Sequence, residues 1–149
     1  MLEDVYSNRL APAYLYELLR NRLDEPETNI SHRALPSYEE HLVFFRSRPY
    51  EHWYLVYAAS ACVGACYLTK AGEIGIYLVR AARGQGSGAA ALRELMARHP
   101  RERFLANLNP GNAASAALFQ KLGFKLIQHT YEAQNVAGLD APQRPFCYC

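Results

Sequence analysis

The spacing of apolar residues predicts two helices near the start of the chain. From Pro12, apolar side chains recur every three or four positions to about Asn21, which is the period of a helix with one buried face. Ser37-Tyr-Glu-Glu40 has the pattern of a capping box and marks the start of the second helix, which ends before Pro49. The side chains of this helix that are expected to face inward are Leu42, Val43 and Phe45.

The middle of the chain has the composition of β-strands. Residues 53–59 and 62–69 are rich in aromatic, β-branched and small apolar side chains, and a third such run begins at Glu73. Because the turns between these runs are short, the three strands are expected to form an antiparallel meander. Residues 2–6 are expected to form a short edge strand.

Beyond the meander, helical and strand-like segments alternate. A helix is predicted from the glycine-rich segment to about His99, a strand at 104–108, a helix at 112–122 and a last strand at 124–131. This order is typical of an α/β fold with helices on both faces of a mixed sheet. We expect one domain, residues 1–132, followed by a tail, residues 133–149, that is either disordered or docked on a partner.

The segment from Glu73 to Met96 is a strand, a glycine loop and a helix in succession, and it contains the candidate chemistry. A helix that starts directly from a glycine loop presents unpaired backbone N–H groups and the positive end of its dipole, so it binds phosphate well. The expected phosphate site spans Gly84 to Ala89. No lysine follows the glycines, which excludes the nucleotide-triphosphate loop, and the glycines are one residue too close for the dinucleotide fingerprint.

Two motifs follow one another in the second half of the chain. Arg83-Gly-Gln-Gly86-Ser-Gly88 fits the pattern R/Q-x-x-G-x-G/A after an apolar strand. Asn112-Ala-Ala-Ser-Ala-Ala-Leu-Phe-Gln-Lys-Leu-Gly123-Phe124 fits N-x-x-[AS]-x-x-[LF]-[YF]-x-x-x-G-F, in which Asn112 suits a helix N-cap and Gly123 a helix end. Through both motifs, over about residues 35–131, the chain resembles the GNAT superfamily of acyl-CoA-dependent N-acyltransferases.

The resemblance implies a fold and a co-substrate. The implied fold is a mixed, mostly antiparallel twisted sheet whose central and following strands splay into a V that admits acetyl-CoA. The loop amides would hold the pyrophosphate, the strand before them would pair with the pantetheine arm, and the Leu78 amide is the candidate oxyanion donor. The residues expected to bind acetyl-CoA are Ile76, Tyr77, Leu78, Arg83, Gly84, Gln85, Gly86, Ser87, Gly88, Ala89, Asn112 and Phe119.

The resemblance also implies a reaction in which an amine attacks the thioester carbonyl directly while coenzyme A leaves. Many relatives have a tyrosine acid where this chain has Phe119, so either Tyr131 or Tyr77 replaces it or the thiolate leaves unaided. Some relatives have a glutamate base where this chain has Asn107, an amide that can only hydrogen-bond a substrate. Glu73, at the start of the central strand, is the remaining candidate base.

The acceptor is expected to be the primary amine of a small molecule. His32 and Arg33 lie in a long polar connection that looks like the corresponding stretch of transferases acting on nucleotide-linked amino sugars. Both side chains could meet a phosphate or carboxylate of such an acceptor. Acetylation of a protein N-terminus or lysine stays open as an alternative, and so does a non-catalytic acyl-CoA-binding module.

Composition excludes several other classes of partner. The net charge of +2 is too small to indicate nucleic acid, and no apolar run reaches the ~18 residues of a membrane span. The four cysteines lack the paired spacing of a zinc site, so no metal is expected. Because the terminal strands of a sheet leave an edge that a second copy can cover, a homodimer stays open.

The cysteines also bear on location. Cys62 and Cys66 are expected on the same face of one strand, roughly 13 Å apart at ~3.3 Å per residue, which is too far for a disulfide. Reduced thiols, together with an acidic start that does not resemble a signal peptide, predict a cytoplasmic protein.

Overall fold

The computed structural model describes residues 1–28 and 34–131. Its strands are β1 (Leu2–Asp4), β2 (His52–Ala58), β3 (Ala61–Leu68) and β4 (Ile74–Leu78). Its α-helices are α1 (Ala11–Leu23), α2 (Tyr38–Arg46), α3 (Ser87–Arg98) and α4 (Ala113–Lys121). Short 3-10 helices occur at Val5–Ser7, Pro26–Thr28 and Arg80–Ala82. Within these described ranges, no helix is both long enough and apolar enough to cross a bilayer.

The strands form one antiparallel sheet in the order β1-β2-β3-β4. The predicted meander and the predicted edge strand near the N-terminus are both confirmed. The outer edge of β1 is closed by side chains of α3, because the Leu2 N–H donates to Glu94 and the Leu2 carbonyl accepts from Arg98, each at 3.4 Å.

Helices cover both faces of the sheet, as predicted. On one face, α3 buries Leu92 and Leu95 and α4 buries Phe119 in a single core cluster. On the other face, Leu15 and Leu18 of α1 pack in a second cluster with the sheet residues Trp53 and Leu55. The sheet is therefore the middle layer of three, and its end at Leu78 lies between two packed faces.

The prediction for the inward face of α2 is wrong at Val43, which is 67% exposed. His41 is buried instead, and its Nε2 lies 2.8 Å from the Pro12 carbonyl oxygen. Phe44 and Phe45, at helical spacing from His41, pack against Trp53. Large rings against the sheet give more apolar contact than Val43 would, so they set the rotation of the helix.

Cys62 and Cys66 do not share a face, contrary to the prediction. The register between β2 and β3 shifts at Val56/Tyr57, so β3 has one extra residue there. As a result Cys62 packs on the α1 side and Cys66 on the α3 side of the sheet. Neither thiol forms a disulfide within the part of the chain that the structure describes.

The strands predicted at 104–108 and 124–131 are not formed as ladders. A single parallel bridge joins Glu73 to Leu105, and it is the only pairing that residues 104–131 make within the described chain. Leu126 and Ile127 are 74% and 71% exposed. A strand needs a hydrogen-bonded neighbour, and none of the described residues provides one for 124–131. The tail predicted at 133–149 lies outside the described residues.

Gly64 allows β3 and β4 to approach closely, and this contact can be tested. A Cβ at Gly64 would lie 2.2 Å from the Tyr77 carbonyl oxygen and 2.5 Å from Leu78 Cδ2. We expect Gly64→Ala to lower the free energy of unfolding by about 1–3 kcal/mol in urea titrations, because backbone must move to admit the methyl group. Gly111→Ala is the matched control, since its Cβ would meet only the Asn109 side chain, at 3.3 Å. Equal urea midpoints for Gly64→Ala and the wild type would contradict this account.

Candidate functional site

β4 pairs with β3 along one edge, and beyond Ile74 no described residue pairs with its other edge. The Val79 N–H donates to a β3 carbonyl at 2.9 Å, which shows that the odd-numbered residues of this segment direct their backbone groups towards β3. The backbone groups of Tyr77 therefore also face β3. Because backbone groups alternate along a strand, Ile74, Ile76 and Leu78 present theirs to the opposite edge.

That opposite edge is closed at one end only. The Ile74 N–H donates to the Leu105 carbonyl at 2.8 Å, and beyond this contact the two chain segments separate. The Leu78 carbonyl accepts from Arg83 Nε at 2.9 Å. Among the residues that the structure describes, nothing hydrogen-bonds the Ile76 N–H, the Ile76 carbonyl or the Leu78 N–H. A ligand arm could therefore add to this edge as a strand would.

The N-terminus of α3 lies where the open edge ends. Gly84 and Gly86 have φ of 74° and 83°, conformations that favour glycine, and a Cβ on either would meet no atom of the described residues within 4 Å. Gly86 is the N-cap and provides no side-chain cap. The amides of Ser87, Gly88 and Ala89 precede the first helical hydrogen bond, from the Ala90 N–H to the Gly86 carbonyl. No residue that the structure describes accepts from them, so they can bind an anion.

The two long side chains of the glycine motif bond to the protein itself. Gln85 Nε2 donates to the Ala81 carbonyl at 3.0 Å. Arg83 donates to the Leu78 carbonyl and to Glu25. The backbone amides of the loop are thus the donors best placed for a phosphate, and the expected set from Gly84 to Ala89 lies together at one helix end.

Asn112 and Phe119 both have structural contacts in α4. Asn112 is the N-cap, and its side-chain oxygen accepts from the Ser115 N–H at 3.0 Å. Phe119 is 3% exposed and its ring packs edge-on against Phe124, with centroids 5.0 Å apart. Gly88 brings α3 close to α4, because a Cβ there would lie 3.2 Å from Leu118.

The structure brings Glu73 and Asn107 together at the closed end of the open edge. Asn107 Nδ2 donates to Glu73 Oε1 at 3.1 Å. Tyr67 reaches the same face, because its ring lies where a side chain on Gly75 would be, with its hydroxyl oxygen 2.5 Å from the ideal Cβ position. Burial raises the pKa of Tyr67, and the nearby Glu73 charge adds to this rise.

The two candidate tyrosine acids differ in setting. Tyr131 is 90% exposed, and its ring lies near that of His129, with centroids 6.4 Å apart. Tyr77 donates its hydroxyl proton to Glu25 Oε1 at 3.2 Å. Burial, followed by the Glu25 charge, raises the pKa of Tyr77 to about 12. Its proton is therefore held more tightly than that of an ordinary tyrosine.

Glu25 is the functional candidate that sequence reasoning missed. Its side chain is 8% exposed, and its carboxylate pairs with Arg83 at 2.6 and 3.0 Å. Burial tends to raise the pKa of Glu25, but the bonds and charge of Arg83 outweigh it, so the pKa lies below its ordinary value. Nothing in the polar stretch around Glu25 indicates this role, because its partner is 58 positions away.

Glu25 also lies in the wall of a cleft. The cleft measures about 310 Å³ and opens between the end of α1 and the end of β4. It is lined by Asn21, Asp24, Glu25, Tyr77, Val79 and Arg80. His32 and Arg33, the predicted acceptor-binding residues, lie outside the described residues.

The donor set fits an acyl-CoA. A free helix N-terminus suits a pyrophosphate, and an open strand edge suits an arm that contains amides. Within residues 1–28 and 34–131, no cluster of three or more His, Cys, Asp or Glu residues could hold a metal ion.

Comparison with known proteins agrees with this geometry. A family model described as an acetyltransferase (GNAT) domain matches residues 11–125. A GNAT superfamily phosphinothricin acetyltransferase from Sinorhizobium meliloti, solved in complex with acetyl-CoA, is 25% identical with a TM-score of 0.68, over 86% of this chain and 76% of that one.

Two further solved structures share the fold. A domain from Methanocaldococcus jannaschii has a TM-score of 0.74 at 17% identity, over 89% of this chain and 92% of that one. A ribosomal-protein-alanine N-acetyltransferase from Brucella melitensis has a TM-score of 0.66 at 22% identity, over 84% of each chain. No curated protein sequence matches.

The Glu25 ion pair predicts a pH dependence of stability. Because the folded pKa of Glu25 is lowered, its contribution is present in full above the ordinary value of 4.5 and is lost as pH falls through the folded pKa. We expect Glu25→Gln to lower the free energy of unfolding by about 1–3 kcal/mol at pH 7.

Urea titrations from pH 7 to pH 3 measure this difference. It should shrink below pH 4.5. Glu27→Gln is the control, because Glu27 is exposed and only meets Arg80 at 3.9 Å. A difference between Glu25→Gln and the wild type that is constant with pH would refute the assignment.

Proposed function

The chain belongs to the GNAT acetyltransferase family, and on that premise we propose that it transfers the acetyl group of acetyl-CoA to a primary amine of a small molecule. Acetyl transfer from acetyl-CoA follows from the family. The small-molecule acceptor and direct attack in a ternary complex are the proposed parts. One observation carries the proposal: the free amides of the α3 N-terminus continue into an open β4 edge that ends beside Glu73 and Asn107.

The co-substrate supplies a thioester, and the protein supplies its position. The amides of Ser87, Gly88 and Ala89 would hold the pyrophosphate, and the free groups of Ile76 and Leu78 would hold the arm. The amine nitrogen then forms a bond to the carbonyl carbon, the carbon–sulfur bond breaks, and the electron pair leaves with sulfur. Such positioning can supply much of the rate enhancement.

Two edge amides are candidates for the oxyanion donor. Leu78 was the candidate from the sequence, and no described residue hydrogen-bonds its N–H. No described residue hydrogen-bonds the Ile76 N–H either. At ~3.3 Å per residue, Ile76 lies about 10 Å from Glu73 along the strand, whereas Leu78 lies about 16 Å from it. If Glu73 takes the ammonium proton, then Ile76 is the better donor, because one or two water molecules can span the shorter distance.

Glu73 is our candidate for the group that receives the proton. The hydrogen bond from Asn107 orients its carboxylate while leaving oxygen lone pairs available. In this proposal Asn107 is a positioning residue: it orients the Glu73 carboxylate and does not itself act as the base.

The proposal assigns neither Phe119 nor Tyr77 as the acid for the leaving thiolate. Phe119 cannot donate a proton and is buried, and Tyr77 holds its proton against Glu25. Tyr131 stays a prediction as the acid for the thiolate. Its ring lies near that of His129.

The cleft supports a small acceptor. Its volume of about 310 Å³ falls at the lower end of small-molecule sites. Asp24 provides a carboxylate for a cation, and Arg80 provides a guanidinium for an anion. A nucleotide-linked amino sugar combines an amine with phosphate, so it is the first acceptor to test.

Location and assembly stay part of the proposal. The free thiols of Cys62 and Cys66 support a reducing, cytoplasmic setting. A homodimer would have to use a surface other than the Leu2 backbone, which α3 side chains already occupy.

Thiol release from acetyl-CoA, followed with an Ellman-type reagent, tests the function. The acceptor panel should contain amino sugars and their nucleotide conjugates, polyamines, amino acids and N-terminal peptides. A blank without acceptor corrects for protein thiols, of which Cys66 reacts slowly because burial raises its pKa to about 12. Release with nucleotide-linked amino sugars alone would support the proposal, and release with peptides alone would replace it with protein acetylation.

We expect Gly86→Val to abolish saturable acetyl-CoA binding, because the side chain would enter the space in front of the α3 amides. Gly123→Val is the matched control, since Gly123 also has a positive φ, of 90°, and open space around its Cβ position, but lies at the end of α4. Calorimetric titration with acetyl-CoA measures both. Equal losses of acetyl-CoA affinity in Gly86→Val and Gly123→Val would show that backbone strain, rather than a blocked phosphate site, causes the loss.

We expect Glu73→Gln to lower kcat by about 10²–10⁴-fold with little change in the KM for acetyl-CoA, because the amide keeps the bond from Asn107 but cannot take a proton. Glu102→Gln, at an exposed glutamate outside the site, is the control. A Glu73→Gln enzyme with the wild-type kcat would remove Glu73 as the base.

A further inference from the structure

Arg83 is the only charged residue of the motif Arg83–Gly88. Its guanidinium could either bind the phosphates of acetyl-CoA or hold the loop in place. All three of its side-chain nitrogens have partners within the protein. Nη1 lies 2.6 Å from Glu25 Oε2, Nη2 lies 3.0 Å from Glu25 Oε1, and Nε lies 2.9 Å from the Leu78 carbonyl oxygen. A bidentate pair of this kind fixes both charge and direction.

The burial of the Glu25 carboxylate favours the ion pair with Arg83. Its carboxylate is 8% exposed, and a buried carboxylate without a cation is costly. Tyr77 adds a hydrogen bond, whereas Arg80, whose side chain is 75% exposed, approaches only to 3.6 Å. If Arg83 turned towards a bound phosphate, Glu25 would lose its main partner.

The pair connects two parts of the fold that are distant in sequence. Glu25 follows the end of α1, and Arg83 leads from β4 into the glycine loop. Through the Leu78 carbonyl, Arg83 also holds the last residue of β4 at the open edge. One ion pair therefore ties the loop, the strand end and α1 together.

We propose that Arg83 anchors the cofactor loop to Glu25 and does not bind the phosphates of acetyl-CoA, and that Glu25 is in this way a positioning residue for acetyl-CoA binding. The proposal rests on the proposed function of the loop. The anchored turn presents the amides of Ser87, Gly88 and Ala89 in one direction before the ligand arrives. Pre-organisation of this kind improves affinity because less ordering is left for the binding step.

The alternative, a phosphate-binding Arg83, predicts the opposite sign for one variant. Removing the Glu25 charge would free the guanidinium for the phosphates, so Glu25→Gln would bind coenzyme A more tightly than the wild type. In the anchor proposal, Glu25→Gln and Arg83→Gln break the same contact and both weaken binding. The double variant should then be no worse than either single variant, because the contact can be lost only once.

Calorimetric titration of the full chain with coenzyme A, at ~0.15 M salt, measures the four Kd values of this double-mutant cycle. We expect each single variant and the double variant to bind about tenfold more weakly than the wild type. Tighter or unchanged binding by Glu25→Gln, or losses that multiply in the double variant, would overturn the anchor proposal.

Two further variants separate anchoring from charge. Arg93→Gln removes an exposed cation from α3 but leaves the bidentate pair intact, so we expect its Kd to change by less than about threefold. Arg83→Lys keeps the charge but cannot form the fork, so it should bind as weakly as Arg83→Gln. Wild-type affinity in Arg83→Lys would point to phosphate binding.

A general loss of fold stability must also be excluded as the cause of weaker coenzyme A binding. Leu15→Ala removes a buried side chain from the α1 core without touching the loop, and its Kd should equal that of the wild type at a temperature where every variant is folded. In turnover assays, Glu25→Gln should raise the KM for acetyl-CoA about tenfold and change kcat by less than about threefold. Equal effects on kcat and KM would refute the positioning role.

Coenzyme A binding by the wild-type chain distinguishes a failure of the proposed function from a failure of the anchor proposal. If the wild-type chain binds no coenzyme A, the proposed function of the loop fails. If it binds coenzyme A and the cycle is additive, only the anchor proposal fails.

Discussion

The separation of β4 from the chain segment at Leu105 is the constraint on which the rest of the site depends. One pair of residues is in ladder contact, and after Ile74 the strand has no neighbour on that edge among the described residues. Backbone groups left unpaired in this way are costly unless a ligand or water satisfies them. The free amides of α3 have the same requirement. Because Gly88, in the first turn of α3, lies against Leu78 at the end of β4, the two sets of donors are adjacent and form one polar track.

Close packing on both faces keeps this track in place. Gly64 lets β3 lie against the end of β4, and Gly88 lets α3 and α4 close over Leu78. On the other face, the Glu25–Arg83 pair links the end of α1 to the same strand end. The cleft assigned to the acceptor in the proposed function opens on the α1 side.

Local sequence signals predicted the parts of the fold that depend on neighbouring residues. The Ser37 capping box, the Asn112 N-cap and the positive φ of Gly123 all occur where the pattern indicated. Each depends on a few residues close in the chain. The errors arose where distant residues compete, as for Val43, which faces solvent because aromatic neighbours fill the contact with the sheet. The bulge that separates Cys62 from Cys66 likewise depends on the register with β2.

The chain's own pattern was sufficient to identify the family, the glycine loop, and the order of the helices and the first four strands, because these follow from short-range periodicity and from motifs of fixed spacing. The pairing of Glu73 with Asn107, the open amides of Ile76 and Leu78, and the burial of Glu25 against Arg83 required the folded arrangement. These contacts join residues 34 and 58 positions apart. Their geometry is set by how the sheet, α1 and α3 pack, and no local pattern of residues encodes that packing.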